Sequence, residues 1–236
     1  MNGEIYEEYF LSNKRHGYGI LKSVSKNKST IGEFYKNELK FGKKFLGDWS
    51  IEGEFYMGLQ HGYNIEYDRL NRILYEGQYK DGKKEGFGIS YYNNGNVSYK
   101  GYFKNDLEDI FGFMYNSSGK LFYSGHLNKG QKKGFGIYYA YDQKGNKIYS
   151  YSGNWVNDEI CDGYLLKKFS DGDYFFGFTK MFVYQDFLKM KTHNFVYIGE
   201  TKINNNKREG YGETIYCNGR KEKGIYINDR LVLAKK

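Results

Sequence analysis

Few side chains in this sequence combine the type and spacing that chemistry requires. Four histidines, His16, His61, His126 and His193, are spread along the chain, and His16 and His61 each stand directly before a Gly-aromatic pair. A position that recurs in this way reads as a turn residue of a repeat, not as a catalytic base or metal ligand. Cys161 and Cys217 show neither a CxxC pair nor Cys/His ligand spacing, so no metal site is expected. The close-set glycines could suggest a phosphate-binding loop, but neither G-x-G-x-x-G opening a helix nor G-x-x-x-x-G-K-S/T occurs. The acidic pairs Glu108-Asp109 and Asp158-Glu159 fall in expected turns and read as solvated loop tips. The sequence therefore points away from an enzyme and calls for no cofactor.

The basic residues allow a sharper test. Lys and Arg outnumber Asp and Glu by 36 to 28, a net charge of +8, which suits an acidic partner, an anionic membrane or nucleic acid, or simply a soluble surface. Dibasic pairs recur at expected hairpin turns: Lys14-Arg15, Lys83-Lys84, Lys132-Lys133 and Lys207-Arg208. Lys83, Lys84, Lys132, Lys133, Lys207 and Arg208 are the candidate contacts to an anionic surface. The turns between them, at Leu59-Gln60, Glu108-Asp109 and Asp158-Glu159, are neutral or acidic, which breaks the positive edge that lipid binding would use. Stacking on single-stranded nucleic acid would need spare aromatics. The fold claims those, so no nucleic-acid partner is expected.

The elements that position these residues follow from Tyr75 to Tyr91, YEGQYKDGKKEGFGISY. Tyr75, Gly77 and Tyr79 share one side of an extended strand. Asp81 to Glu85 make a polar turn, and Phe87, Ile89 and Tyr91 then alternate with Gly86 and Gly88. Period-2 alternation on both flanks of an Asp-Gly turn predicts a β-hairpin. The pattern recurs along the whole chain, with the first-strand glycine at positions 32, 53, 77, 101, 125, 153, 177, 199 and 224. The first copy has Glu8 where glycine is expected. Copies are degenerate near 32–52 and 177–198, and a partial copy closes the chain at 222–236. Ile110 replaces a paired glycine, Met181–Asn194 loses the pattern, and Asn204–Asn206 lengthen a turn. Met181, Tyr184 and Leu188 also fit a short amphipathic helix, although the glycine spacing favours a distorted hairpin.

Composition agrees: 31 Gly, 27 Tyr and 18 Phe against no Pro favour strands and tight turns over helices. Residues 1–236 thus read as a single array of hairpins, each stable only when stacked on its neighbours. About nineteen strands at ~4.8 Å spacing would give a ribbon roughly 90 Å long, coiled by strand twist around a groove. Glu7 and Glu8 at one end, with Arg230, Lys235 and Lys236 at the other, would protect the open edges. Paired glycines remove side chains so that a neighbouring ring can lie on the backbone. The rings expected to do so are Phe34, Phe55, Tyr79, Phe103 and Trp155. Two cysteines and no apolar leader in MNGEIYEEYF suggest an intracellular chain with free thiols. No apolar run approaches a membrane span.

YEGQYKDGKKEGFGISYYNNG closely resembles the MORN repeat (membrane occupation and recognition nexus), a pattern of roughly Y-x-G-x-W/Y-x-x-G-x-x-x-G-x-G. The resemblance is clearest in the copies at Gly77 and Gly125, and about nine to ten copies can be counted. It implies an elongated, single-layer, twisted antiparallel all-β ribbon with a groove, and a role as scaffold, adaptor or membrane–cytoskeleton linker. Similar repeats occur in junctophilins, plant phosphatidylinositol-phosphate kinases and radial-spoke head proteins of cilia. The expected function is non-enzymatic: binding a helical or extended protein segment along an aromatic-lined groove, in a cytoplasmic, cytoskeletal, ciliary or cortical assembly. The expected anchors are Tyr75, Tyr79, Tyr99, Phe103, Tyr123 and Trp155. Self-association would suit such a chain, and the alternative is a peripheral tether recognising anionic phospholipids.

Overall fold

The computed structural model describes residues 4–23, 28–168, 174–180, 185–202 and 207–235. Every regular element among them is a β-strand, and the pairings are antiparallel, between strands adjacent in sequence. Two compact units, Met1–Leu121 and Phe122–Lys236, divide the chain.

The first unit is a meander of five hairpins. Their strands are β1 (Glu4–Leu11), β2 (Lys14–Ser23), β3 (Lys28–Tyr35), β4 (Glu38–Leu46) and β5 (Trp49–Tyr56). They continue with β6 (Leu59–Asp68), β7 (Ile73–Lys80), β8 (Lys83–Tyr91), β9 (Val97–Lys104) and β10 (Leu107–Tyr115). The second unit carries β11 (Leu121–Asn128), β12 (Gln131–Tyr141), β13 (Lys147–Val156), β14 (Glu159–Lys168) and β15 (Tyr174–Lys180). It ends with β16 (Gln185–Lys191), β17 (Phe195–Lys202), β18 (Lys207–Tyr216), β19 (Lys221–Ile227) and β20 (Arg230–Ala234). The described residues thus form twenty strands, one more than the repeat count suggests.

The hairpin turns are shorter than the sequence indicates. In the clearest copy the turn is Asp81-Gly82 alone, with φ of 51° and 81°, the two-residue turn whose twist matches that of the strands. Lys83 to Glu85 therefore belong to β8, and the dibasic pairs lie in strands, where successive side chains point to opposite faces. The copy near 32–52 keeps the same plan and is less degenerate than its sequence. Lys36-Asn37 form its two-residue turn, with φ of 50° and 77°, and Gly42 lies opposite both Gly32 and Gly53. The copy is short because only Gly47 and Asp48 separate β4 from β5. β15 pairs antiparallel with β16, so Gln185–Lys191 is a strand and not part of a helix. Met181 and Tyr184, like Asn204–Asn206, lie outside the described residues.

Register aligns the glycines into a row. In the first unit it runs Gly19, Gly32, Gly42, Gly53, Asn64, Gly77, Gly88, Gly101, Gly112 across successive strands. Glu8 takes the glycine place opposite Gly19. In the second unit the row runs Gly125, Gly136, Gly153, Gly163 and then breaks. Gly163 faces Thr179, and Gly177 faces Leu165, a displacement of two residues between β14 and β15. A shift of two leaves every side chain on its own face. Beyond the break, Met190, Tyr197 and Tyr226 form a buried cluster against Leu165, Phe195 and Leu231.

The bulge before the second-strand glycine calls for a left-handed residue, and Gly17, Gly62, Gly86, Gly134 and Gly210 supply it. At the corresponding place in β10 stands Ile110, with φ of 63°. A β-branched residue is strained there. Ile110→Gly is accordingly expected to stabilise the protein by about 1 kcal/mol, read as a rise in the denaturant midpoint at constant slope. An unchanged or lower midpoint would contradict it.

Candidate functional site

The glycine row carries a ladder of aromatic rings. Tyr75 lies over Gly88, Tyr99 over Gly112 and Tyr123 over Gly136, each so close that a Cβ on the glycine would collide with the ring. The rings on the glycines are thus those two residues before the first-strand glycine. This corrects the expectation for Phe34, Phe55, Tyr79, Phe103 and Trp155, which stand two residues after it. Phe103 meets Tyr75 and Tyr99 edge-on, at 5.1 Å from each. Trp155 does the same between Tyr123 and Tyr151, at 5.6 Å from each. Edge-to-face geometry suits the ring quadrupoles and adds to the area buried.

Four of the ladder hydroxyls bond locally. Those of Tyr99, Tyr123 and Tyr197 donate to the carbonyl three residues on, at 2.8–2.9 Å, and that of Tyr75 does so at 3.3 Å. Burial raises the Tyr75, Tyr79, Tyr99 and Tyr197 hydroxyls well above the usual range and pushes Tyr123 up to about 12. One copy is built differently. Ile51 replaces the tyrosine and Asn64 the glycine, and Asn64 Nδ2 donates to the Glu54 carbonyl at 3.1 Å. That carbonyl is three residues after Ile51, so the amide makes the bond a tyrosine would have made.

Tyr75, Tyr79, Tyr99, Phe103, Tyr123 and Trp155 are all buried, none more than 5% exposed. They lie on one face of the sheet in their respective units. The basic candidates divide between the faces. Lys84 stands over the Tyr75 ring at 4.2 Å and pairs with Glu66 at 3.0 Å. Lys132 pairs with Asp158 at 3.1 Å beside Trp155. Arg208 packs on Phe195 and Tyr226, both at 4.8 Å, while bonding Asp229. Lys83 and Lys133 are exposed, and Lys207 is half-buried.

Of the residues read as solvated loop tips, Asp158 is bonded within the fold, and Asp106 and Asp229 hold the equivalent place in their turns. Asp106, Asp158 and Asp229 accept the main-chain N–H of Lys84, Lys132 and Arg208 respectively, and each returns its own N–H to the same residue's carbonyl. Every such pair ties a turn to the preceding hairpin. Glu108 lies in β10 near Tyr99, where burial raises its carboxyl and Lys84 opposes that rise. Three of the histidines lie in strands, not turns. His16 packs on Tyr35, His61 on Tyr56, and His126 Nδ1 lies 3.1 Å from the Phe135 carbonyl oxygen. Among the described residues, no three His, Cys, Asp or Glu side chains converge as metal ligands would.

The exposed aromatics are on the other face. In Gly-aromatic-Gly, the ring must point away from both glycines. Tyr18 and Phe87 do so at 68% and 41% exposure, and Tyr63 and Phe41, each with one flanking glycine, join them at 48% and 56%. The alternation at Gly86-Phe87-Gly88 was the signal for this second face.

Hairpins locked together by tyrosine packed on glycine define the class: a β-hairpin repeat protein. The MORN repeat model matches residues 9–28, 52–63, 75–97, 123–143 and 203–219, so the chain carries MORN repeats at these five segments. Such repeats are a non-catalytic class known in scaffolds that bind membranes or proteins. A comparison with curated proteins finds no significant match to the chain.

Proposed function

We propose that this protein is a non-enzymatic scaffold that holds a partner polypeptide on an aromatic-lined surface, in a cytoskeletal or ciliary assembly of the cytoplasm. The observation that supports this reading is the division of labour between the faces. Lys84, Lys132 and Arg208 are committed to carboxylates and rings, which takes them from any lipid surface. In this reading Tyr75, Tyr79, Tyr99, Phe103, Tyr123 and Trp155 form the floor that keeps the sheet in shape, while exposed rings on the opposite face make contact. Aromatic side chains are the usual anchors of protein interfaces.

Cross-linking and affinity purification from the native cell test this against the lipid alternative. A protein recovered by the wild type and lost with Tyr63→Ser and Phe87→Ser is the expected result, together with weak sedimentation on phosphatidylserine vesicles at physiological salt. Tight, salt-sensitive vesicle binding without a protein partner would overturn the proposal.

A further inference from the structure

On the exposed face of the first unit, register places Tyr18, Phe41, Tyr63 and Phe87 in one row, on β2, β4, β6 and β8. Glu33, Glu54 and Gln78 occupy the strands between them, opposite their ring neighbours. Glu33 and Glu54 are exposed. The adjacent row on the same face adds Glu52 and Glu76, together with Lys43, which pairs with Glu52 at 3.4 Å. Glu76 accepts hydrogen bonds from the Tyr63 and Tyr91 hydroxyls. A chain of net charge +8 thus presents an acidic, aromatic band across these seven strands.

We propose that this band docks a proline-rich segment of another protein that carries Arg or Lys at every third residue. The inference rests on the scaffold reading above and names the partner's chemistry. Rings on alternate strands recur at about 9.6 Å, twice the inter-strand spacing. A polyproline II helix returns to the same face every three residues, at about 9.3 Å. An α-helix returns near this distance only after seven residues, at about 10.5 Å, and drifts out of step. An extended strand covers about 10 Å in three residues, but its third residue points away. Cations on a polyproline helix would sit between ring faces and carboxylates, and prolines would lie on the aromatics. The chain contains no proline, so these residues cannot supply the segment themselves.

A labelled peptide of repeated Arg-Pro-Pro triplets, titrated by fluorescence anisotropy against the full chain, tests the proposal. Its expected binding is about tenfold tighter than that of a peptide of equal composition with the arginines clustered, a difference of about 1.4 kcal/mol. Tyr63→Ala and Glu54→Gln should each weaken it several-fold, whereas Tyr164→Ala in the second unit should not. Thermal melts check that the variants remain folded. Equal binding of the clustered peptide, no binding of the triplet peptide, or indifference to Tyr63→Ala overturns the inference. The scaffold reading survives those outcomes if cross-linking still recovers a protein partner, and falls with it if only vesicles bind.

Discussion

Gly88→Ala is expected to destabilise the first unit by about 3 kcal/mol, and Tyr75→Ile by a similar amount, yet Tyr75→Ile with Gly88→Asn should recover much of the loss. The added Cβ at Gly88 would collide with the Tyr75 ring, which is fully buried and cannot move without leaving the ladder. Overpacking of this kind costs about 1–3 kcal/mol, and expelling a buried aromatic adds to it. Tyr75→Ile leaves a void beside two glycines and removes the donor to the Gln78 carbonyl. The double variant copies an arrangement already present in the chain, Ile51 with Asn64, in which the amide donates to the equivalent carbonyl. Chemical denaturation of wild type, Tyr75→Ile, Gly88→Asn and the double, with Gly88→Asn alone at least as costly as Gly88→Ala, should give a coupling of at least about 2 kcal/mol. Simple additivity would show that the ring and the glycine do not act as a pair.

Alkali should unfold the protein cooperatively between about pH 10 and pH 12. Buried phenols hold their protons: burial, and next the Glu66 carboxylate, raises Tyr75 and Tyr79, while burial and then Glu108 raises Tyr99. In the unfolded chain a tyrosine ionises near pH 10. Their contribution to stability is therefore complete below about pH 10 and is lost as pH climbs from there towards the folded value. Each such tyrosine costs up to about 1.4 kcal/mol per pH unit over that range, and several titrate together. The rise in tyrosinate absorbance and the loss of β-sheet ellipticity should coincide in one transition. Ionisation of these tyrosines near pH 10 with the sheet intact would refute the account.

The candidate site was only partly legible in the sequence. The alternation at Tyr75–Gly77–Tyr79 and Gly86–Phe87–Gly88 puts those residues on definite faces, because side chains in a strand alternate strictly. It does not say that Tyr75, and not Tyr79, lies on Gly88, since that depends on which way each ring leans along the strand. Nor could it show Lys84 held by Glu66, or Asp106 tied to Lys84, because those partners come from different hairpins. For the same reason the basic residues looked like a solvent-facing set when Lys84, Lys132 and Arg208 are engaged within the fold.

The hairpin, its repetition and the face to which each side chain belongs all follow from local backbone geometry, so the order of residues alone is enough to read them. Register between hairpins is different. At β14 and β15 a slip of two residues preserves every face and so leaves no trace in the alternation; only the folded chain reveals it. The same holds for which face is closed and which is open, because that depends on contacts between strands of separate hairpins. Mutual packing of Tyr75, Phe103 and Tyr99 closes one, while Gly86 and Gly88, which flank Phe87, turn that ring outward on the other.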